Sequence, residues 1–572
     1  MEKRAILAAV LMAGLLILYQ FLFTKPEPTQ PPDNRAKEAP VAGAPATPPT
    51  GAHQEGATLP PAKAAALVPD RTAMVATPLY RAEFGSNGGA IKAWELDYRG
   101  QKPLAVGPTL AFQGIEVGRP GMATRPVPLS ITPEQLKLTK DAPTGDLTMV
   151  GEDGFGLQIS ETLVFHADTY VVDQLIKIQN KHAVSQSAEV LLPWTAPLTW
   201  PKDQIEKFQG QHPIRVARDV AGSVTREDIH KIVDRREQGR WIALESEWYL
   251  TALIAETGGW QLSEQKFSES VPGEEKPVEA VRVALRTTLP ALAPGQSWEG
   301  KVAFYVGPKE YNRLKSVGVG LEKAIYFGGF PIPQAYGGLP MEWLAVPIMA
   351  VMKIIRGYTG NYGVAIIVLT IITKVLFFPL TIKSMTSMRA MQALQPQINA
   401  MRSKYKSDPQ RLQRETMELY RANKVNPLGG CLPMVVQIPI FYALYVALSV
   451  SVEMQNAPFI CFGRLPAWVP ALGGQELWIC DLAQHDPTYI LPILMGISMF
   501  VQQRMQPVMG DPRQAKMMLF MPVLFTFMFL NLPSGLVLYW TLSNLLQIAQ
   551  QKYMERRGAR ASKVPPRVLK KA

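Results

Sequence analysis

At 572 residues the chain is too long for one ordinary domain, and 59 Lys and Arg against 47 Asp and Glu give a formal charge of +12. So basic a balance first suggests nucleic-acid binding. Apolar residues reach 47%, charged residues only 19% against a usual ~25%, and there are 24 Met and 11 Trp. This excludes a disordered polycation and points to a membrane protein. Three cysteines exclude a disulfide-built scaffold and offer no zinc-ligand spacing.

Residues 1–24 read as a transmembrane anchor. Ala5 to Thr24 are uncharged and mostly apolar behind Lys3 and Arg4, and twenty residues at about 1.5 Å rise span about 30 Å. Tyr19-Gln-Phe-Leu-Phe23 runs straight into Lys25-Pro-Glu-Pro without an A-x-A-like site. An uncleaved signal anchor with a cytoplasmic amino end is therefore expected, rather than a cleaved peptide. Residues 25–74 are rich in Pro and Ala and form an extended linker that cannot bury enough surface to fold.

Residues 75–335 change texture to short alternating runs separated by Gly, Pro and Asp. Val281, Val283 and Leu285 alternate with Arg282 and Arg286; Val302, Phe304 and Val306 follow Lys301 in the same rhythm. Period-2 alternation without long helices predicts an antiparallel all-β sandwich. Four of the six histidines lie here (His166, His182, His212, His230), without paired-ligand spacing. No nucleophile elbow or phosphate-cradling loop accompanies them, so a binding or scaffolding domain is expected, not an enzyme.

The rest reads as a membrane α-helical domain. Residues 341–357 contain Glu342, Pro347 and Lys353 and suit an interfacial helix. Spans are predicted at 361–382, 428–452, 488–503, 517–532 and 535–551, the last three only 16 or 17 residues long, about 24 Å. Asn531-Leu-Pro-Ser-Gly535 supplies the final turn. Connections at 383–427 and 504–516 and the tail 552–572 would face the cytoplasm; 453–487 would lie outside. The three cytoplasmic segments hold 20 basic and 5 acidic residues, whereas Glu453 to Asp486 holds one Arg and four acids. This is the positive-inside pattern, and it removes the need for nucleic acid to explain the charge.

The 383–427 segment has helical periodicity. Met388, Met391, Leu394, Ile398, Met401 and Tyr405 recur at spacings of three to four, Ser407-Asp-Pro-Gln410 breaks the run, and Leu412, Thr416, Leu419 and Tyr420 resume it. A helical hairpin is predicted, its Met-rich stripe either packing the two arms together or forming an adaptable binding surface.

Lys374 is the sharpest single feature, the one charge inside a predicted span. At such depth a lysine costs about 2.5–3.5 kcal/mol unless it reaches water or a partner. No other predicted span holds an acid, so the lysine either snorkels to the headgroups or faces a wet cavity, and its depth favours the cavity. Thr370 and Thr373 flank it, Gln437 sits in the next span, and Trp540, Ser543, Asn544, Gln547 and Gln551 recur at helical spacing along the last.

Lys424-Val-Asn-Pro-Leu-Gly-Gly-Cys-Leu-Pro433 followed by Gln437-Ile-Pro-Ile-Phe441 resembles the YidC membrane-protein insertases of Gram-negative bacteria. So do Pro379-Leu-Thr381, Tyr489-Ile-Leu-Pro-Ile-Leu-Met-Gly496 and Pro533-Ser-Gly-Leu-Val-Leu-Tyr539; Phe304-Tyr-Val-Gly-Pro308 agrees more loosely. The resemblance implies a five-helix core in the bacterial inner membrane with a cytoplasm-open hydrophilic groove, and a periplasmic β-supersandwich. It implies work on nascent membrane proteins, alone or with the Sec translocon, ribosome contact through the basic cytoplasmic parts, and no cofactor, metal or catalytic residue. By position Lys374 matches the family's groove arginine, with Thr370, Gln437, Trp540 and Ser543 at groove-lining sites. Lysine in place of arginine keeps the charge but loses the planar fork. The Cys461–Cys480 loop is longer than the family's usual one; both cysteines would face an oxidising compartment, and a disulfide is expected, whereas Cys431 borders the cytoplasm and should stay reduced. A secondary transporter using Lys374, or a membrane-anchored periplasmic binding module, are the competing readings; the inverted repeats and intramembrane carboxylates of the former are not seen.

Overall fold

The computed structural model describes residues 71–98, 101–106, 110–200, 211–269, 277–330, 339–405, 408–423, 425, 432–464, 476–505 and 512–561. The expected anchor, most of the linker, Cys431 and the end of the basic tail lie outside the described residues.

The alternating segments fold as strands. Leu157–His166 buries Leu157, Ile159, Leu163 and Phe165 and leaves the intervening residues half-exposed, Glu161 excepted. It belongs to a nine-stranded antiparallel sheet. The strand order is Ser223–Asp228, Arg215–Val220, Trp241–Glu245, Tyr249–Thr257, Ser297–Pro308, Val171–Asn180, Leu157–His166, Thr144–Glu152 and Leu129–Thr132. A second, seven-stranded sheet is built around Gln261–Glu269, Val278–Thr288 and Glu189–Pro197. The two face each other: Phe304 of the first stacks on Phe112 of the second at 6.1 Å, and Arg218 of the first pairs with Glu264 of the second at 3.1 Å. A five-stranded sheet closes one side through Tyr80, Trp94 and Phe84, with Phe84 edge-on to Phe165. The expected β-sandwich is present, and its first strand, Thr72–Ala76, starts within the stretch expected to be linker.

Ser297–Pro308 runs through the middle of the large sheet and leads out of it. Gly307 near its end has no room for a side chain, since a Cβ would meet Tyr170 at 2.7 Å. Helix α1 (Tyr311–Ser316) follows. Helix α2 (Glu342–Thr359) covers the expected interfacial segment, burying Ala345, Ile348 and Met352 while Trp343, Ile354 and Tyr358 are exposed. The β domain is tied to the helices by Tyr249 Oη donating to Gln455 at 2.8 Å and by Lys353 Nζ donating to Glu310 at 2.8 Å.

Helix α3 (Tyr362–Leu376) is capped by Asn361, whose side chain accepts from the amides of Gly363 and Val364. The span expected to be continuous over 361–382 breaks at Phe377, and α4 (Phe378–Ala393) leaves at 59°. Pro379 is the reason: it has no amide hydrogen to give the carbonyl of Val375, and its ring clashes with a continuing helix. Pro396 likewise splits the first hairpin arm at Leu394, where α5 (Gln395–Lys404) begins. Helix α6 (Pro409–Ala422) is the second arm. Met391, Leu394 and Ile398 are buried, so that part of the Met-rich stripe is packing.

Helices α7 (Leu432–Val450), α8 (Ile490–Met505), α9 (Pro512–Phe529) and α10 (Ser534–Ala561) occupy the remaining expected spans. Two outrun expectation: α9 starts inside the expected 504–516 loop, and α10 carries its helix ten residues beyond Gln551 into the basic tail. Among the described residues no single helix is both long and apolar enough to cross a membrane alone, and α3 with α4 pass together as a bent pair. Between α7 and α8, Ile460–Arg464 pairs with Glu476–Ile479, and Cys461 is disulfide-bonded to Cys480.

Candidate functional site

Helix α10 is the hub of the bundle, packed against α3, α7 and α8. The polar residues that read as one stripe are shared out among those neighbours. Towards α3, Lys374 Nζ donates to Gln547 Oε1 at 3.0 Å. Lys374 makes no ion pair with a carboxylate among the described residues, so its charge meets one neutral amide. Thr370 is fully buried and its hydroxyl donates back to the Ile366 carbonyl at 2.6 Å; Thr373 does the same to Thr370 at 2.8 Å. Both hydroxyls are therefore spent within α3, which lowers the polarity they offer to anything beside Lys374.

Towards α7, Gln437 Nε2 donates to Tyr539 Oη at 2.5 Å. Trp540, the next residue, is boxed by aromatics: edge-on to Phe441 at 4.4 Å and tilted against Phe529 at 5.0 Å, with Phe525 beyond. Towards α8, Asn544 Nδ2 donates to Ser498 Oγ at 3.1 Å and Gln551 Nε2 to the Met505 carbonyl at 2.6 Å. Asn544 and Ser543 are both buried. The structure thus joins Lys374 to Gln547 and Gln437 to the α10 face beside Trp540, and puts Asn544 into the α8–α10 packing seam. Tyr539, Ser498 and the Phe441–Phe525–Phe529 box were not anticipated. Aromatics brought together from α7, α9 and α10 give no joint signal in sequence, although Tyr539 adjoins Trp540.

Around these polar seams the helices present apolar side chains outward. Ile490, Ile493, Leu494 and Ile497 form a stripe on α8; Phe520, Val523, Leu524 and Phe527 form one on α9. Val375 and Leu376 end α3, 68% and 67% exposed. Contiguous apolar surface of this extent is foreign to a water-facing protein and suited to hydrocarbon. In the connection before α8, Asp486 is buried and caps the helix, accepting from Thr488 and Leu491 amides at 3.0 and 2.8 Å.

Two family patterns match the chain: the YidC periplasmic domain over residues 72–349 and the 60Kd inner membrane protein over residues 354–561. Among similar proteins, the membrane protein insertase YidC of Syntrophus aciditrophicus is 37% identical, covering 98% of this chain and 100% of the relative. That of Citrifermentans bemidjiense is 35% identical over 97% and 99%. A crystal structure of an active YidC insertase with its first transmembrane domain resolved aligns with a TM-score of 0.35 at 18% identity, over 85% of this chain and 95% of that one.

Proposed function

Because the chain belongs to the YidC family of membrane protein insertases, inner-membrane proteins with a periplasmic domain, we propose that Lys374 and Gln547 are its receiving point for substrate. The polar part of a nascent membrane protein rests against Lys374, while its apolar segment moves along the exposed α8 and α9 stripes into lipid. No covalent chemistry and no cofactor are involved; partitioning of the apolar segment drives the step. The observation that carries the reading is the lone cation of α3, bonded to a neutral amide and unmatched by any carboxylate among the described residues. A charge kept inside a membrane domain without a counter-ion is free to meet the acidic or polar stretch of a substrate. Thr373, Gln437 and Trp540 line the same route, and Thr370 and Ser543, buried in the helix packing, back it.

The remaining assignments extend this reading. The amino end, the α4–α6 hairpin and the basic tail lie in the cytoplasm and the chain crosses the membrane several times, as the placement of its Lys and Arg supports. The cytoplasmic segments offer 20 basic residues to ribosomal phosphates. The chain works alone or with the Sec translocon as a partner. Cys461 and Cys480, on the opposite side, form a structural disulfide in an oxidising compartment.

The test is insertion of a Sec-independent substrate into proteoliposomes. Lys374→Arg should insert at close to the wild-type rate and Lys374→Ala at about a tenth of it or less, if one charge-assisted contact is lost. Crosslinkers at Lys374 and Trp540 should capture a stalled nascent membrane protein. Full insertion by Lys374→Ala would end the assignment.

A further inference from the structure

Away from the helices, the outer face of the seven-stranded sheet gathers a second set of cations. Arg282 and Arg286 stand four residues apart on Val278–Thr288 and so share a face; Arg236 joins them from the edge strand Arg235–Glu237. They line an open cleft of about 410 Å³, together with Glu189, Leu191 and Thr288, under the turn Pro120–Thr124. That volume lies in the range of small-molecule sites, about 300–1,000 Å³.

The charge in the cleft is unbalanced, three guanidinium groups against one carboxylate. Arg286 Nη1 donates to Glu189 at 2.6 Å, and Arg282 lies over the Phe267 ring at 4.6 Å. The Nε atoms of Arg282 and Arg286 are buried and make no hydrogen bond among the described residues. Buried donors are costly to leave unmade, and here two of them belong to cations. The nearby carboxylate of Glu116 accepts from the Thr124 hydroxyl at 2.6 Å.

We propose that this cleft binds an anionic oxygen group, phosphate or carboxylate, carried on a small organic body. Arg282 and Arg286 present their planar forks to the anion, the geometry in which guanidinium outperforms ammonium. Arg236 attracts it at the mouth, and Leu191 and Pro120 wall the body of the ligand. The site is independent of the insertion route and lies in the β domain.

The full chain in phosphatidylcholine nanodiscs is titrated calorimetrically with inorganic phosphate. Saturable binding is expected, weakened about tenfold or more in Arg282→Gln and about threefold in Arg236→Gln, which alters an exposed residue and leaves the fold intact. Lys177→Gln, on the other sheet and paired with Glu299, should bind as wild type. Phosphatidylglycerol nanodiscs distinguish the source. A headgroup ligand competes and lowers phosphate affinity in wild type but not in Arg282→Gln; a soluble ligand leaves affinity equal in both lipids. Absence of saturable binding, or equal affinity in wild type and both arginine variants, overturns the proposal. Should Arg282→Gln fail to fold, the exposed-site variant Arg236→Glu decides instead: reversing that charge should weaken phosphate binding about tenfold, and wild-type affinity overturns the proposal.

Discussion

Glu161→Gln tests the energetics of the β domain at its least expected residue. Glu161 occupies an inward position between Ile159 and Leu163, fully buried. Gln174 Nε2 donates to its Oε1 at 2.6 Å, while its Oε2 and the Gln174 Oε1 have no partner among the described residues. Burial pushes the carboxyl up from its ordinary 4.5 to about 8, and the Gln174 hydrogen bond only partly opposes this. The folded value lies above the unfolded one, so the folded chain holds a proton that the unfolded chain releases. The corresponding stability is fully present below pH 4.5 and is lost as pH rises to about 8. At about 1.36 kcal/mol per pH unit that gap is worth about 5 kcal/mol. Guanidinium unfolding of the full chain in detergent at about pH 5, 7 and 9, followed by near-ultraviolet dichroism of buried Trp94, Trp194 and Trp241, reads it. Wild type should weaken steeply across that range. Glu161→Gln, neutral and of the same shape, should lose most of that slope and exceed wild type at the alkaline end. A flat or rising wild-type curve, or a variant with the wild-type slope, would refute the reasoning.

A second buried charge should behave in the opposite sense. Burial favours the neutral form of Glu245, but Lys309 at 2.8 Å, with Arg215 and Arg226, outweighs it and holds the carboxyl below its usual range. Its contribution is thus present above the unfolded value and lost as pH falls. Lys309→Met should cost about 3–5 kcal/mol at neutral pH in the same unfolding assay, and Lys309→Met with Glu245→Leu should recover much of it; equal losses in single and double variants would contradict this. For the bend, Pro379→Ala should let α3 continue towards α4. Spin labels at Ile366 and Thr386 should then move apart in pulsed-resonance distances, and an unchanged distance would assign the 59° bend to packing instead.

What sequence made legible was whatever depends on local periodicity or on charge placed along the chain. Alternation in Val281–Arg286 announced a strand, and Lys374 announced itself as the one charge in an uncharged run. Glu161 escaped because one acid in an otherwise alternating run looks like an imperfection; its significance lies in the two faces of sheet closing over it. The break at Phe377 escaped because hydropathy ignores backbone hydrogen bonding, although Pro379 was in plain view. The stripe on α10 was legible as a set of residues, but not as a division of labour. Gln547 and Lys374 are 173 positions apart, and only packing decides that Gln547 meets α3 while Asn544 meets α8.

The break at Phe377 also alters why a lysine is tolerated at position 374. A continuous helix to Ile382 would leave it about 13 Å from the cytoplasmic end, beyond the reach of its side chain. In the observed fold Lys374 lies in the last turn of α3, three residues before the break. There the helix dipole presents its negative end, worth about 0.3–1 kcal/mol to a cation, and Gln547 adds one hydrogen bond. Together these offset part, not all, of the about 2.5–3.5 kcal/mol cost of a lysine at membrane depth. Water must supply the remainder. The helices are suited to admit it: α3 and α8 have 15 and 16 residues, about 22 and 24 Å, against a hydrocarbon core of about 30 Å. Helices as short as these two draw headgroups and water inward beside them. The bend, the dipole and the Gln547 hydrogen bond thus act on the same cation, at the position where the proposed function places the incoming chain.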